Sequence, residues 1–170
     1  MGRHSWSRLN KPQVGRFAEY FVKMEFALYG FEVFTSEVDD RGIDFVVRHG
    51  ASGYREIQVK SARESKYVFM QKTKFPLRPD RLLAMVLLGE GQPPDLYLIP
   101  ATEWLSPNAL LVDRDYVGLK SKPEWGVQLS GRTRPLLAPY RFDAAVSLYQ
   151  DQVTPPQALQ QTPAQNGGRC

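Results

Sequence analysis

The chain of 170 residues has a single cysteine, Cys170, and it is the last residue. An intrachain disulfide and a cysteine-rich metal site are therefore excluded, which fits a reducing, cytoplasmic setting. Histidine is equally scarce: His4 and His49 stand alone, without metal-ligand spacing. The longest apolar run, Leu82 to Leu88, is strand-length and far short of the ~20 residues that span a bilayer. The opening "MGRHSWSRLNKPQ" is basic but no apolar stretch follows, so a secretory signal is not expected. There is no phosphate-cradling glycine loop and no nucleophile–base motif. What remains is an ordinary globular composition, with 42% hydrophobic and 24% charged residues, long enough for one domain with a real core.

Charge is distributed unevenly. The net charge is +4, and residues 1–18 alone hold Arg3, Arg8, Lys11 and Arg16 with no acid. A second cluster runs from Lys60 to Arg78, with Arg63, Lys66, Lys72 and Lys74 against Glu64 only, and with Tyr67, Phe69 and Phe75 interleaved. Basic stretches with aromatics suit a polyanion, and a solvated face with a flexible arm accounts for the same charges.

Asn10 before "KPQVGRFAEYFVKMEFALYG" predicts a helix with a capping box to Gln13, Pro12 in its first turn and Gly30 past its end. Glu19 falls beside Val22 and Phe26 on its wheel. "FEVFTSE", "GIDFVVR" and "YREIQVKSA" predict three strands, the last two joined by the turn "GASG". "YVFMQ" reads as a short edge strand or extension. "LLAMVLLG" and "DLYLIPA" read as interior strands, "TEWL" as a short helix and "RFDAAVSLYQDQ" as a final helix. Residues 106–140 give no clear reading. Three regions follow: a basic arm (1–10), a folded domain (11–149) and a Pro/Gln-rich tail (150–170) expected to be disordered. The fold class expected is α/β, a mixed central sheet flanked by helices.

The informative stretch is "GIDFVVRHGASGYREIQVKSAR", residues 42–63. Side chains alternate along a strand, so Glu56, Gln58 and Lys60 share one face, and Asp44 points away from Ile43, Phe45 and Val47. A hairpin through GASG brings Asp44 beside Gln58 and Lys60. Charged groups persist on an apolar sheet when they are paired, metal-bound or open to water. An Asp44–Lys60 ion pair at a half-exposed edge is the simplest such arrangement.

The order of these elements resembles the PD-(D/E)xK nuclease superfamily, most closely its compact branch that includes archaeal Holliday-junction resolvases and small bacterial proteins. "GRFAEYFVKMEFALYGFEV" is similar to the branch's glutamate-bearing first helix, "RGIDFVVR" to its aspartate strand and "REIQVKS" to its core motif, here a QxK variant. The resemblance covers residues 12–63. It implies a restriction-endonuclease-like core of αβββαβ type and a metal-dependent endonuclease acting on nucleic acid, DNA favoured. It implies Mg²⁺ or Mn²⁺ held by Asp44, the Gln58 side chain, the Val59 backbone oxygen and Glu19. Lys60 would orient the attacking water or offset charge on the phosphate, and Asp44, Gln58, Lys60 and Glu19 would form the catalytic set. Arg8, Lys11, Arg16, Arg63, Lys66, Lys72 and Lys74 would hold the nucleic-acid backbone, and a homodimer is one arrangement. Gln58 stands where an acid is usual, which removes one negative charge. The alternative is a nuclease-fold module that binds nucleic acid or a protein partner without cleaving. Glu56 is expected to pair with an arginine.

Overall fold

A computed structural model describes residues 2–35, 42–64 and 66–151. Helix α1 spans Lys11–Leu28 and begins as its sequence dictates: the Asn10 side chain accepts from the Gln13 amide, and the Gln13 side chain accepts from the Asn10 amide, both at 2.9 Å. Such a reciprocal cap contributes about 1 kcal/mol. Val14, Ala18, Val22 and Phe26 are its buried stripe. Gly30 ends it with φ of +84°, a backbone shape glycine adopts without strain.

The strands that follow are β1 (Glu32–Thr35), β2 (Phe45–Arg48), β3 (Arg55–Ala62), β4 (Tyr67–Gln71), β5 (Arg81–Leu87), β6 (Asp95–Pro100), β7 (Leu111–Arg114) and β8 (Glu124–Gln128). The main sheet has the order β1-β2-β3-β5-β6, antiparallel throughout except for the parallel β3–β5 pair. It is the mixed sheet that the sequence predicts. A parallel pair needs a long crossover. Here residues 63–80 supply it with β4 and a 3₁₀ turn at Lys72–Lys74, where the resemblance implies a helix. β4 leaves the main sheet and joins a second, three-stranded sheet, β4-β8-β7. Residues 106–140, unreadable in sequence, hold β7, β8 and a 3₁₀ turn at Arg134–Tyr140.

β5 is buried along its whole length because it faces two cores. Leu82, Ala84 and Val86 pack with Phe26, Phe45 and Ile57 beneath α1. Leu83, Met85 and Leu87 pack with Val68, Trp104 and Val127 beneath the small sheet. The final helix is shorter than expected: α2 covers only Phe142–Ala145 and passes into a 3₁₀ turn at Val146–Tyr149. Phe142, Ala145 and Val146 already bury the apolar side, and so short a helix has little stability of its own. The basic arm is docked, with Trp6 buried against Phe17. The expected tail beyond Asp151 lies outside the described residues. Among the described residues, no helix is long and apolar enough to cross a membrane.

Candidate active site

Cross-strand register fixes the faces. Phe45 pairs with Ile57 and both are buried under α1, so Val46 and its partner Glu56 face the other way. Gln58 and Lys60 of β3 continue that second face, and Asp44 lies one residue before β2. Ile43 departs from the expected pattern: it precedes the strand and lines a cleft with Glu56, Lys74 and Arg78, outside the α1 core.

Asp44 closes the hairpin. Its amide donates to the Ile57 carbonyl at 2.9 Å, and its Oδ2 accepts from the Val59 amide at 2.5 Å. The carboxylate thus takes over where the β2 ladder stops. A residue's amide and carbonyl project to the same side of a strand. The Val59 carbonyl therefore faces the side that Asp44 occupies.

Gln58 is 6% exposed, and its Oε1 has no donor among the described residues. A buried acceptor without a donor costs about 1–3 kcal/mol. A hard divalent cation takes oxygen ligands of this kind, and the Asp44 carboxylate sits at the Val59 amide, next in sequence to Gln58. The donor set of Asp44, Gln58 and Val59 fits such an ion. Among the described residues, no three Asp, Glu, His or Cys side chains gather as a metal cluster. The amide and the backbone would have to supply what a second acid supplies elsewhere.

Lys60 is half-buried and lines a groove of about 500 Å³ between α1 and the end of β3, with Lys11, Gly15 and Val59. Among the described residues Lys60 forms no ion pair, so the simple Asp44–Lys60 bridge is not formed. Glu19 bonds Arg16 at 2.9 Å. It lies on the α1 stripe between Gly15, in that groove, and Lys23, whose ammonium is 5.5 Å from the Phe45 ring centre. The stripe brings Glu19 to the flank of the β2–β3 pair, with its carboxylate turned to Arg16.

One cluster was not legible as a site. Arg81, 1% exposed, donates to Glu56 at 2.9 Å, to the Gly42 carbonyl at 2.5 Å and to the Lys74 carbonyl at 2.8 Å. Arg78 also reaches Glu56, at 2.5 Å, as expected for that carboxylate. Burial lowers the Arg81 pKa, and Glu56 opposes the shift, with Asp44 adding a smaller contribution. The hydrogen bond from Arg78 to Glu56 raises the Arg78 pKa. Gly42 suits its place: its φ is +69°, and a Cβ there would stand 3.0 Å from the Lys74 carbonyl and 3.1 Å from Gln58 Nε2. Arg81 thus fastens the segment leading into Asp44. The signal for it was an arginine heading an otherwise apolar strand, directly across from Glu56.

The predicted backbone-binding residues divide. Lys11 and Lys74 are exposed beside the two depressions. Arg63 is committed inward, donating to the carbonyls of Trp6 and Leu9, which pins the arm. Arg16 pairs with Glu19. Lys72 lies 4.0 Å from the Trp125 ring centre and pairs with Asp113 and Asp115. Lys66 is exposed next to β4, and Arg8 is the last residue of the arm's 3₁₀ turn.

No protein-family model matches the sequence, and no curated protein matches it. Among solved structures, the chain is similar to Hjc, a Holliday junction resolvase from the archaeal hyperthermophile Archaeoglobus fulgidus. The TM-score is 0.51 at 14% identity, over 81% of this chain and 98% of that one. A bacterial homing endonuclease, I-Ssp6803I, is similar at a TM-score of 0.46 and 16% identity, over 87% of this chain and 91% of that one. The chain shares the restriction-endonuclease-like fold with that resolvase.

Proposed function

We propose that this chain, built on the PD-(D/E)xK fold, is a metal-dependent endonuclease that hydrolyses nucleic-acid phosphodiester bonds, with DNA the favoured substrate. The observation that carries the reading is the buried Gln58 Oε1, without a donor among the described residues, beside a carboxylate locked onto the Val59 amide. Asp44, Gln58 Oε1 and the Val59 carbonyl would hold Mg²⁺ or Mn²⁺, with Glu19 turning from Arg16 to join them. A bound divalent ion supplies phosphate polarisation and a more acidic attacking water. The residues do the rest. Asp44 fixes the end of the hairpin. Lys60, without an ion pair among the described residues, orients the water or offsets charge that builds on the phosphate. Lys11, Lys74 and Arg78 flank the two depressions and hold the polyanion, so binding weakens steeply with salt.

The test is nicking of supercoiled plasmid in Mg²⁺ or Mn²⁺. Cleavage by wild type that disappears in folded Asp44→Ala and Lys60→Ala supports the reading. Cleavage unchanged in both variants excludes this site.

A second reading has its own support. The site lacks the acid usual at position 58, and no three-residue acid cluster exists among the described residues. A binding module that does not cleave shows salt-sensitive nucleic-acid binding with no nicking in either metal.

A further inference from the structure

Two partly exposed aromatic side chains lie on the same sheet face as Glu56 and Gln58. Phe34 of β1 is 42% exposed, and Tyr54, just before β3, is 53% exposed. The register sets them in adjacent rows. Phe34 pairs with Val46, which pairs with Glu56, and Glu32 pairs with Arg48 in the next row. Arg48 lies between the rings, 5.9 Å from the centre of Phe34 and 5.1 Å from that of Tyr54. Its guanidinium bonds the Tyr54 hydroxyl at 3.1 Å and Glu32 at 2.6 Å. The rings meet at 5.7 Å and 67°, so they form an outward ledge and not a slot.

The small sheet covers the main sheet over β5, β6 and the end of β3, through Leu83, Met85, Ile99 and Ala62. The face of β1, β2 and the start of β3 is outside that core. From Arg48 to Asp44 is four residues of strand, or about 13 Å. Nucleic acid covers that distance in about four stacked nucleotides at ~3.4 Å per strand step. The cleft beside the intervening row carries Lys74, Arg78 and Arg81 against Glu56 and Asp80, a net positive wall.

We infer that the Phe34–Arg48–Tyr54 ledge is a stacking subsite for an unpaired nucleobase, a few nucleotides from the phosphate at Asp44. This rests on the nuclease reading above and narrows its substrate to nucleic acid with a single-stranded segment at the cleavage point. Aromatic faces and guanidinium planes stack on any base, whereas bases inside a duplex present no free face. Carbon-rich rings at an edge strand would otherwise invite association, and an occupant that is planar and anionic matches both the rings and the charged wall.

The experiment measures binding of a fluorescent aminopurine-containing single strand and of a blunt duplex of the same length, in Ca²⁺ to suppress cleavage. The variants are Phe34→Leu/Tyr54→Leu, which keeps apolar cover on the strands but removes the aromatic faces, and Tyr54→Phe, which keeps the ring. Wild type is expected to quench the aminopurine. The double Leu variant, with an unchanged melting temperature, should bind the single strand about tenfold more weakly, lose the quench and keep its duplex affinity. Tyr54→Phe should resemble wild type. Equal single-strand binding and equal quenching by the double variant overturn the subsite alone. Absence of binding to either probe by wild type overturns the nuclease reading and this inference with it.

Discussion

Asp44 Oδ2 lies 2.5 Å from the amide nitrogen of Val59, so a side chain completes the ladder where strand β2 has run out. That contact answers why an acid interrupts an apolar strand. It also places a carboxylate beside Gln58, whose buried Oε1 accepts from no described residue.

Gln58→Glu restores the usual acid. A carboxylate in this buried position, close to Asp44, is unfavourable without a counter-ion. The variant is expected to melt below wild type in chelator and to gain more stability from Mn²⁺ than wild type does. Its Mn²⁺ affinity should rise at least about tenfold, since a unit charge replaces a dipole at contact distance. Thermal melts with and without Mn²⁺ measure both effects, and equal shifts in the two proteins would separate Gln58 from the ion.

Arg81→Met removes the buried guanidinium that bonds Glu56, Gly42 and Lys74. The loss is expected to be about 3 kcal/mol in urea unfolding, from orphaned carbonyls and a carboxylate left with Arg78 only. Cleavage at a temperature where the variant is folded should also fall, because the segment entering Asp44 loses its fastening.

Gly42→Ala tests the same segment from the backbone. The position has φ of +69° and only tight space for a Cβ, 3.0 Å from the Lys74 carbonyl. A cost of about 1–3 kcal/mol is expected in urea unfolding. Gly131→Ala is the control, because a Cβ there meets nothing within 4 Å and its φ is ordinary.

Alkaline titration reports on the small sheet and the C-terminal turn. Burial raises the pKa of Tyr67, Tyr97, Tyr140 and Tyr149, aided at Tyr67 and Tyr140 by hydrogen bonds to Glu124 and Glu103. The folded state holds these phenol protons more tightly than the unfolded chain, whose tyrosines titrate near pH ~10. Their contribution is complete below that pH and is lost as pH rises through the folded values. Absorbance at the tyrosinate band should show a late-titrating group in the native protein that moves to ordinary values in denaturant.

Local chemistry made much of this legible from sequence. The Asn10–Gln13 cap, the glycine after α1 and the GASG turn are signals carried by a few neighbouring residues, and the structure has each of them. The approach of Asp44 to β3 followed from reading the two strands as a hairpin. What was not legible depends on partners distant in sequence. Tyr67–Gln71 pairs with Glu124–Gln128, more than fifty residues away, so β4 could not be separated from the main sheet. β7 and β8 mix charged and apolar residues over four and five positions, too short for a period to emerge. Arg81 becomes meaningful only once parallel pairing sets it across from Glu56.

The central claim is that Asp44, with Gln58 and the Val59 carbonyl, forms a divalent-cation site. Calorimetric titration of Mn²⁺ into wild type and into folded Asp44→Asn tests it most directly. The account predicts one saturable site in wild type and its loss in the variant. Identical binding isotherms for the two proteins, or no heat of binding in wild type, would contradict it.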